Sequence, residues 1–163
     1  MGLCLRNEGF LEQESKNSAE GERLIHYALD RFNKSLNIFK QIKINENTRN
    51  LWISGILSSK AKCYEYLSQK NEAILCYEEA EVYRRRIYSQ ISFAQPTTIY
   101  QNFLAESYIH KIRLARLKGT NDSEEVKDTI KEIENKRQRI DGYLWTVVND
   151  ELEQLRRPPT TTI

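Results

Sequence analysis

The sequence predicts an all-α fold, and three observations support this prediction. Apolar residues recur at three- and four-residue spacing along nearly all of the 163 residues. No segment alternates polar and apolar residues over the length of a strand. With six glycines and three prolines, the chain lacks the turn residues of a β-sandwich or barrel. We therefore expect five or six helices, joined by short connections that make neighbouring helices antiparallel.

Three helices are predicted in the first half of the chain, each opened by a residue that can cap a helix N-terminus. Ser18 precedes the first helix, Thr48 begins the second and Asn71 begins the third. Trp52, on the second helix, has apolar neighbours on more than one face and could lie on an exposed patch, as could Trp145 further along. The predicted spans are residues 19–42, 48–67 and 71–88.

Two further helices are predicted in the second half. Pro96 forces an extended connection before the fourth helix, and Gly119 stands where a helix C-terminus favours glycine. Asp122, followed by a glutamate three residues later, has the spacing of a capping box at the start of the fifth helix. Gly142 can divide that helix into two pieces, because glycine disfavours a helix interior. The predicted spans are residues 98–117 and 122–152.

The two ends of the chain differ from the helical part. Residues 1–17 contain four apolar side chains, which could form a short first helix or a loosely attached arm. Residues 18–156 form the predicted helical domain. Residues 157–163 begin Arg-Pro-Pro, which cannot continue a helix, and are predicted to be a flexible tail.

Small and aromatic residues alternate along the second and third helices at offsets typical of a known repeat. The residues that match in type and spacing are Ala61, Tyr64, Ala73, Tyr77 and Ala80. Residues 54–87 therefore resemble one tetratricopeptide repeat, a helix–turn–helix unit. Leu57 stands where that family usually has tryptophan, and Ala105, the next matching alanine, lies further along than a regular repeat would place it.

The resemblance implies antiparallel helical hairpins in a two-layer right-handed array or bundle. It also implies a groove lined by the first helix of each repeat, in which a protein or peptide partner binds. Lys62 stands where the family's carboxylate clamp places an asparagine, so binding of an acidic C-terminus is not expected. The groove residues that the resemblance implies are Ser58, Lys62, Glu65, Tyr66, Asn102, Glu106, Ile109 and His110.

Basic residues at the ends of the third and fourth helices suggest an alternative function. If those ends converge, they form a patch for nucleic acid, phosphate or an acidic peptide. If they do not, the same residues form an ordinary solvated surface, partly neutralised by the acidic fifth helix. The residues concerned are Arg84, Arg85, Arg86, Lys111, Arg113 and Arg116.

Signals of catalysis are weak. The chain has no glycine-rich phosphate loop, no His-Glu-x-x-His pair and no Cys-x-x-Cys pair. We therefore predict a non-catalytic protein with no metal and no cofactor. Cys63 and Cys76 are interpreted as small apolar residues packed within the hairpin.

Composition points to a location inside the cell, in the cytoplasm or the nucleus. Three irregularly spaced cysteines do not form a disulfide framework, and no apolar run is long enough to span a membrane. The net charge of +2 gives no overall attraction to nucleic acid or anionic lipid. Lipidation at Gly2 and Cys4 is not expected, because Arg6 stands where the myristoylation motif requires serine or threonine.

Overall fold

The computed structural model describes residues 18–88, 98–140 and 142–156. These residues form six α-helices and one short 3-10 helix with no strand among them, which confirms the predicted all-α class. The α-helices are α1 (Ser18–Gln41), α2 (Glu46–Tyr66), α3 (Lys70–Tyr88), α4 (Thr98–Lys118), α5 (Glu124–Asn135) and α6 (Gly142–Arg156). The predictions for residues 1–17, including Gly2 and Cys4, and for residues 157–163 lie outside the described residues.

Two helix starts differ by two residues from the predicted ones because a neighbouring residue caps the helix instead, and α1 and α3 each begin one residue earlier than predicted. The side-chain oxygen of Asn45 accepts hydrogen bonds from the backbone N–H groups of Asn47 (3.0 Å) and Thr48 (3.2 Å), so α2 begins before Thr48. At α5, Ser123 rather than Asp122 accepts from a backbone N–H of the first turn, at 3.3 Å. Asparagine, aspartate, serine and threonine cap with similar strength, so their order in the sequence does not decide between them.

The predicted fifth helix consists of two helices, as its central glycine allowed. α5 ends at Asn135, a 3-10 turn follows at Arg137–Arg139, and Gly142 is the first residue of α6. Between them, Ile140 has extended backbone angles and a side chain only 7% exposed.

The chain divides into two compact units, the first ending at residue 91. In the N-terminal unit, α2 packs against both α1 and α3. One face of α1 supplies much of its core, with Ile25, Ala28, Leu29, Phe32 and Leu36 packed with Ile53, Ile56 and Leu57 of α2. Burial of these side chains is the main source of stability of the unit.

The C-terminal unit contains α4, α5 and α6. Here α4 is the central element, since it packs against both α5 and α6. Its buried residues include Leu104, Ala105, Tyr108 and Ile112, while Ile133 of α5 and Val148 of α6 are fully buried. Gly119 has a φ of +68° just after α4, in the left-handed conformation that was predicted for it.

Candidate functional site

The resemblance to a repeat rests on small residues at the contact between α2 and α3, and these are fully buried. Ala61 on α2, together with Ala73 and Ala80 on α3, is 0% exposed. Tyr77, between the two α3 alanines, is also 0% exposed. Alanines allow two helix backbones to approach closely, and an aromatic ring fills the remaining space. Four of the five residues that carry the resemblance therefore lie in the core of the hairpin, and the fifth, Tyr64, is half-buried.

Tyr77 also forms the hairpin's clearest polar contact. Its hydroxyl donates a hydrogen bond to the Glu65 carboxylate across the two helices, at 2.5 Å. The bond orients Glu65, one of the predicted groove residues.

The two cysteines of the hairpin are buried free thiols. Burial raises the pKa of the Cys76 thiol. The positive charge of Lys60 lowers this pKa, whereas the negative charges of Glu79 and Glu72 raise it further. The thiol therefore stays protonated at neutral pH, which does not favour a nucleophilic role. Among the described residues, no group of three histidine, cysteine, aspartate or glutamate side chains is arranged to hold a metal ion.

The α2 half of the predicted groove is partly accessible. Tyr66 is 41% exposed, and Lys62, one helical turn before it, is half-buried. Ser58, by contrast, is only 7% exposed and donates its hydroxyl to the carbonyl oxygen of Ser54 at 2.6 Å. The prediction that Ser58 lines an open groove is therefore wrong, because its hydroxyl is turned back onto its own helix.

The α4 half of the predicted groove is mostly inaccessible. Glu106 is exposed, but Ile109 and His110 are 8% and 4% exposed, so the prediction that these two present a binding surface is wrong. Both belong to the buried part of a helix that is packed on more than one face. Asn102 lies on α4, but its side chain is outside the described part of the structure. The two halves belong to different compact units.

The three arginines at the end of α3 lie in different environments and do not form one surface patch. Arg84 is 1% exposed, so the prediction that it contributes to a surface patch is wrong. Arg85 is exposed and pairs with Glu81 at 3.3 Å, and the Arg86 guanidinium lies 5.3 Å from the centre of the Tyr83 ring. Arg84 follows Ala80 by one helical turn, and this spacing could have indicated that it points inward.

The basic residues of α4 are paired within their own unit. Arg113 donates from Nε to the Glu151 carboxylate at 2.8 Å, and an Arg116 nitrogen lies 3.5 Å from the other oxygen of Glu151. Lys111 is half-buried and helps to lower the pKa of Glu132. Sequence reasoning missed Glu151, which is 4% exposed. Its position on the apolar stripe of α6, beside Leu152, is the signal that could have identified it.

An exposed apolar cluster lies at the turn between α1 and α2, and we call it the turn cluster. Trp52, one of the two tryptophans predicted as candidates for an exposed patch, belongs to this cluster. The other, Trp145, is half-buried, and the Arg137 guanidinium lies 5.0 Å from the centre of its ring. Sequence reasoning did not identify the cluster as a whole. The members and their exposed fractions are Ile38 (60%), Ile42 (40%), Ile44 (36%), Leu51 (37%) and Trp52 (54%).

In the described part of the chain, no helix has both the length and the apolar character needed to cross a bilayer. Comparison with protein-family models, with curated proteins and with solved structures finds no match for this chain.

Proposed function

We propose that this chain is a non-catalytic helical interaction module, or a small subunit of a multiprotein complex, that binds a peptide or helical segment. The observation that carries the proposal is the α2–α3 hairpin, with Ala61, Ala73 and Ala80 fully buried. A hairpin packed in this way resembles a tetratricopeptide unit, whose first helix lines the groove in which a partner binds. We place this module in the cytoplasm or the nucleus, because Cys63 and Cys76 are buried thiols that are not joined in a disulfide.

The binding surface in this proposal is the exposed C-terminal part of α2. Tyr66 supplies an aromatic anchor that is large and loses little conformational freedom on binding. Lys62 supplies a positive charge one turn away, and Glu65 supplies a negative charge that Tyr77 holds in place. Two opposite charges beside an aromatic anchor would fix the direction in which a bound segment runs.

The alternative of a nucleic-acid-binding patch has less support. Arg84 is buried, and Arg113 and Arg116 face the Glu151 carboxylate rather than solvent alone. A phosphate-binding surface needs several uncompensated cations, since its affinity comes from releasing the counterions of the nucleic acid.

Affinity capture of the tagged protein, followed by mass spectrometry, tests the proposal. The test variant is Lys62→Glu/Tyr66→Ala, which alters the α2 surface. The control is Lys70→Glu/Leu75→Ala, which alters one exposed lysine and one exposed large apolar residue of α3. Circular dichroism shows whether each variant is folded.

We expect a partner that the wild type and the control retain and the test variant loses. The same purified partner should bind the wild type in solution at least tenfold more tightly than the test variant. A partner retained equally by both variants would contradict a docking site on α2.

A further inference from the structure

The turn cluster gives one end of the N-terminal unit an apolar surface. Ile42 and Ile44 lie in the turn itself, and Ile38 lies in the last turn of α1. Trp52 is the member furthest along α2, and at 1.5 Å per residue it lies about 9 Å from the helix start. All five apolar side chains therefore lie within about 9 Å of the turn, measured along the helix axes.

Trp52 is held in place rather than loosely exposed. Its ring stacks on Phe39 of α1, with ring centres 5.6 Å apart and planes inclined by 16°. One face of the indole is thus covered by protein, while 54% of the residue remains accessible. A tryptophan that is already held in place can insert its exposed part into an apolar environment with little loss of conformational freedom.

Basic side chains surround the same end. Because short turns join α1 to α2 and α2 to α3, each helix runs antiparallel to the one before it. The C-terminus of α3 therefore lies at the end of the unit where α2 begins. Arg85 and Arg86 therefore belong to the same end as Lys43 and Arg49.

The charges at this end do not cancel. Lys40 pairs with Glu79 at 3.2 Å, and Arg85 pairs with Glu81. Lys43 and Arg49 form no ion pair within the described residues. The acidic residue between them in the sequence is Glu46, which lies at the positive N-terminus of α2. The apolar end therefore carries an excess of positive charge.

We propose that this end docks on the interfacial layer of an anionic lipid bilayer, with the turn cluster among the headgroups and Lys43 and Arg49 against lipid phosphates. The depth of the cluster, about 9 Å, matches the 5–10 Å over which interfacial segments insert. Tryptophan favours this layer, and basic residues are attracted to its negative surface. Isoleucines in a helix–helix turn would contribute nothing to binding a nucleic-acid backbone.

This inference goes beyond the proposed function and is independent of it. Lys62 and Tyr66 lie in the last two turns of α2, whereas the turn cluster lies at the other end of that helix. The protein could therefore hold a partner and a membrane surface at the same time. Lipid binding at the interface needs no membrane-spanning helix.

Tryptophan fluorescence tests the proposal directly. In a Trp145→Phe variant, Trp52 is the only tryptophan of the chain. The probe is a vesicle of equimolar phosphatidylserine and phosphatidylcholine, compared with a vesicle of phosphatidylcholine alone. We expect the Trp52 emission to move to shorter wavelength with the anionic vesicle, to be quenched by brominated acyl chains, and to recover at high salt.

Paired variants locate the surface. Ile42→Ser/Ile44→Ser should reduce vesicle binding at least tenfold, whereas Leu75→Ser, at an exposed leucine near the opposite end of α3, should leave it unchanged. Lys43→Glu/Arg49→Glu should weaken binding by about 25-fold or more, because each basic residue near an anionic surface contributes about fivefold. Lys70→Glu is the matched charge control, at an exposed lysine near the opposite end. Circular dichroism confirms that each variant is folded.

Four outcomes would overturn the proposal. One is an unchanged Trp52 emission with anionic vesicles, and another is equal binding by the turn-cluster variants and their controls. Salt-dependent binding to a single-stranded oligonucleotide, without a vesicle response, would assign this end to nucleic acid. A concentration-dependent dimer that Ile42→Ser/Ile44→Ser abolishes, again without a vesicle response, would assign it to a second copy of the chain.

Discussion

Tyr77 combines two roles in the α2–α3 hairpin. Its ring is fully buried among the alanines, and its hydroxyl donates to the carboxylate of Glu65. A hydrogen bond to a charged acceptor stabilises a fold more than one between neutral groups. The hydroxyl therefore contributes to stability as well as to the placement of Glu65.

Replacing Tyr77 by phenylalanine should lower the free energy of unfolding by about 1–2 kcal/mol, because the ring stays and only the hydrogen bond is lost. Tyr64→Phe is the control, since the Tyr64 hydroxyl makes no hydrogen bond to the described residues. Urea unfolding monitored by circular dichroism measures both variants. Equal losses in the two would show that the Tyr77–Glu65 bond contributes nothing to stability.

Glu132 links stability to pH in the C-terminal unit. Burial raises the pKa of Glu132, but hydrogen bonds from Lys136 (2.6 Å) and Tyr108 (3.2 Å), with the charges of Lys136 and Lys111, lower it below its ordinary value of 4.5. A lowered pKa means that the ionised carboxylate stabilises the folded state. That stabilisation is present above pH 4.5 and is lost as the pH falls through the pKa in the folded protein.

A Glu132→Gln variant should therefore be less stable than the wild type at neutral pH, and the difference should shrink as the pH falls below 4.5. Urea unfolding, repeated from neutral pH to below pH 4.5, measures this difference in the free energy of unfolding. A difference that stays constant down to the acid end would contradict the role given to Glu132.

At the scale of an element, the turn between α2 and α3 contains a strained backbone conformation that the sequence does not predict. Ser68 has a φ of +57°, in the left-handed region that favours glycine. The N–H groups of Ser68 and Gln69 donate to the carbonyl oxygens of Glu65 and Tyr64, at 3.0 and 2.8 Å, and close the end of α2. The same arrangement ends α4, where Gly119 occupies the left-handed position.

Ser68→Gly should raise the free energy of unfolding by about 1 kcal/mol, because glycine adopts the left-handed conformation without a Cβ clash. Ser59→Gly, inside α2, should lower it by several tenths of a kcal/mol, because glycine is a poorer helix former than serine. Thermal and urea unfolding of the two variants should therefore give opposite signs. A loss of stability in Ser68→Gly would contradict this reading of the turn.

Glu151 joins α6 to α4. It is nearly fully buried, and its carboxylate faces Arg113 and Arg116, which are themselves largely covered. Removing one partner of a buried ion pair leaves the other charge without compensation. The contact therefore matters more than an ion pair on the surface would.

Glu151→Ala should lower the free energy of unfolding by about 1–3 kcal/mol, less than for a fully buried pair because water can reach both arginines. Asp150→Ala, at the exposed neighbouring position, should change it by no more than about 0.5 kcal/mol. Denaturant unfolding compares the two. If both variants were equally stable, Glu151 would have no part in holding α6 on α4.

For the molecule as a whole, the sequence predicted the helices well because apolar spacing is a local property. Gly119 and the division at Gly142 were predictable for the same reason, since each depends on the conformation of one glycine. The choice of Asn45 over Thr48 as a cap was not predictable, because both residue types cap helices.

The candidate site was less predictable, because burial depends on which helix covers which face. Ser58 and His110 stand at positions that a regular repeat would expose, and Arg84 stands in a run of three arginines, yet all three residues are buried. The pairing of Arg113 with Glu151 joins residues far apart in sequence, and no local pattern contains it. The division into two units at residue 91 likewise depends on tertiary contacts.

Photo-crosslinking inside cells tests most directly whether the outer face of α2 holds a partner. A photoreactive phenylalanine analogue replaces Tyr66, and in a control it replaces Val82, a half-exposed residue of α3. We expect one discrete crosslinked protein from position 66, absent from position 82 and lost when Lys62→Glu is added. No crosslink from position 66, or the same products from both positions, would contradict the proposal that this chain is an interaction module docking through α2.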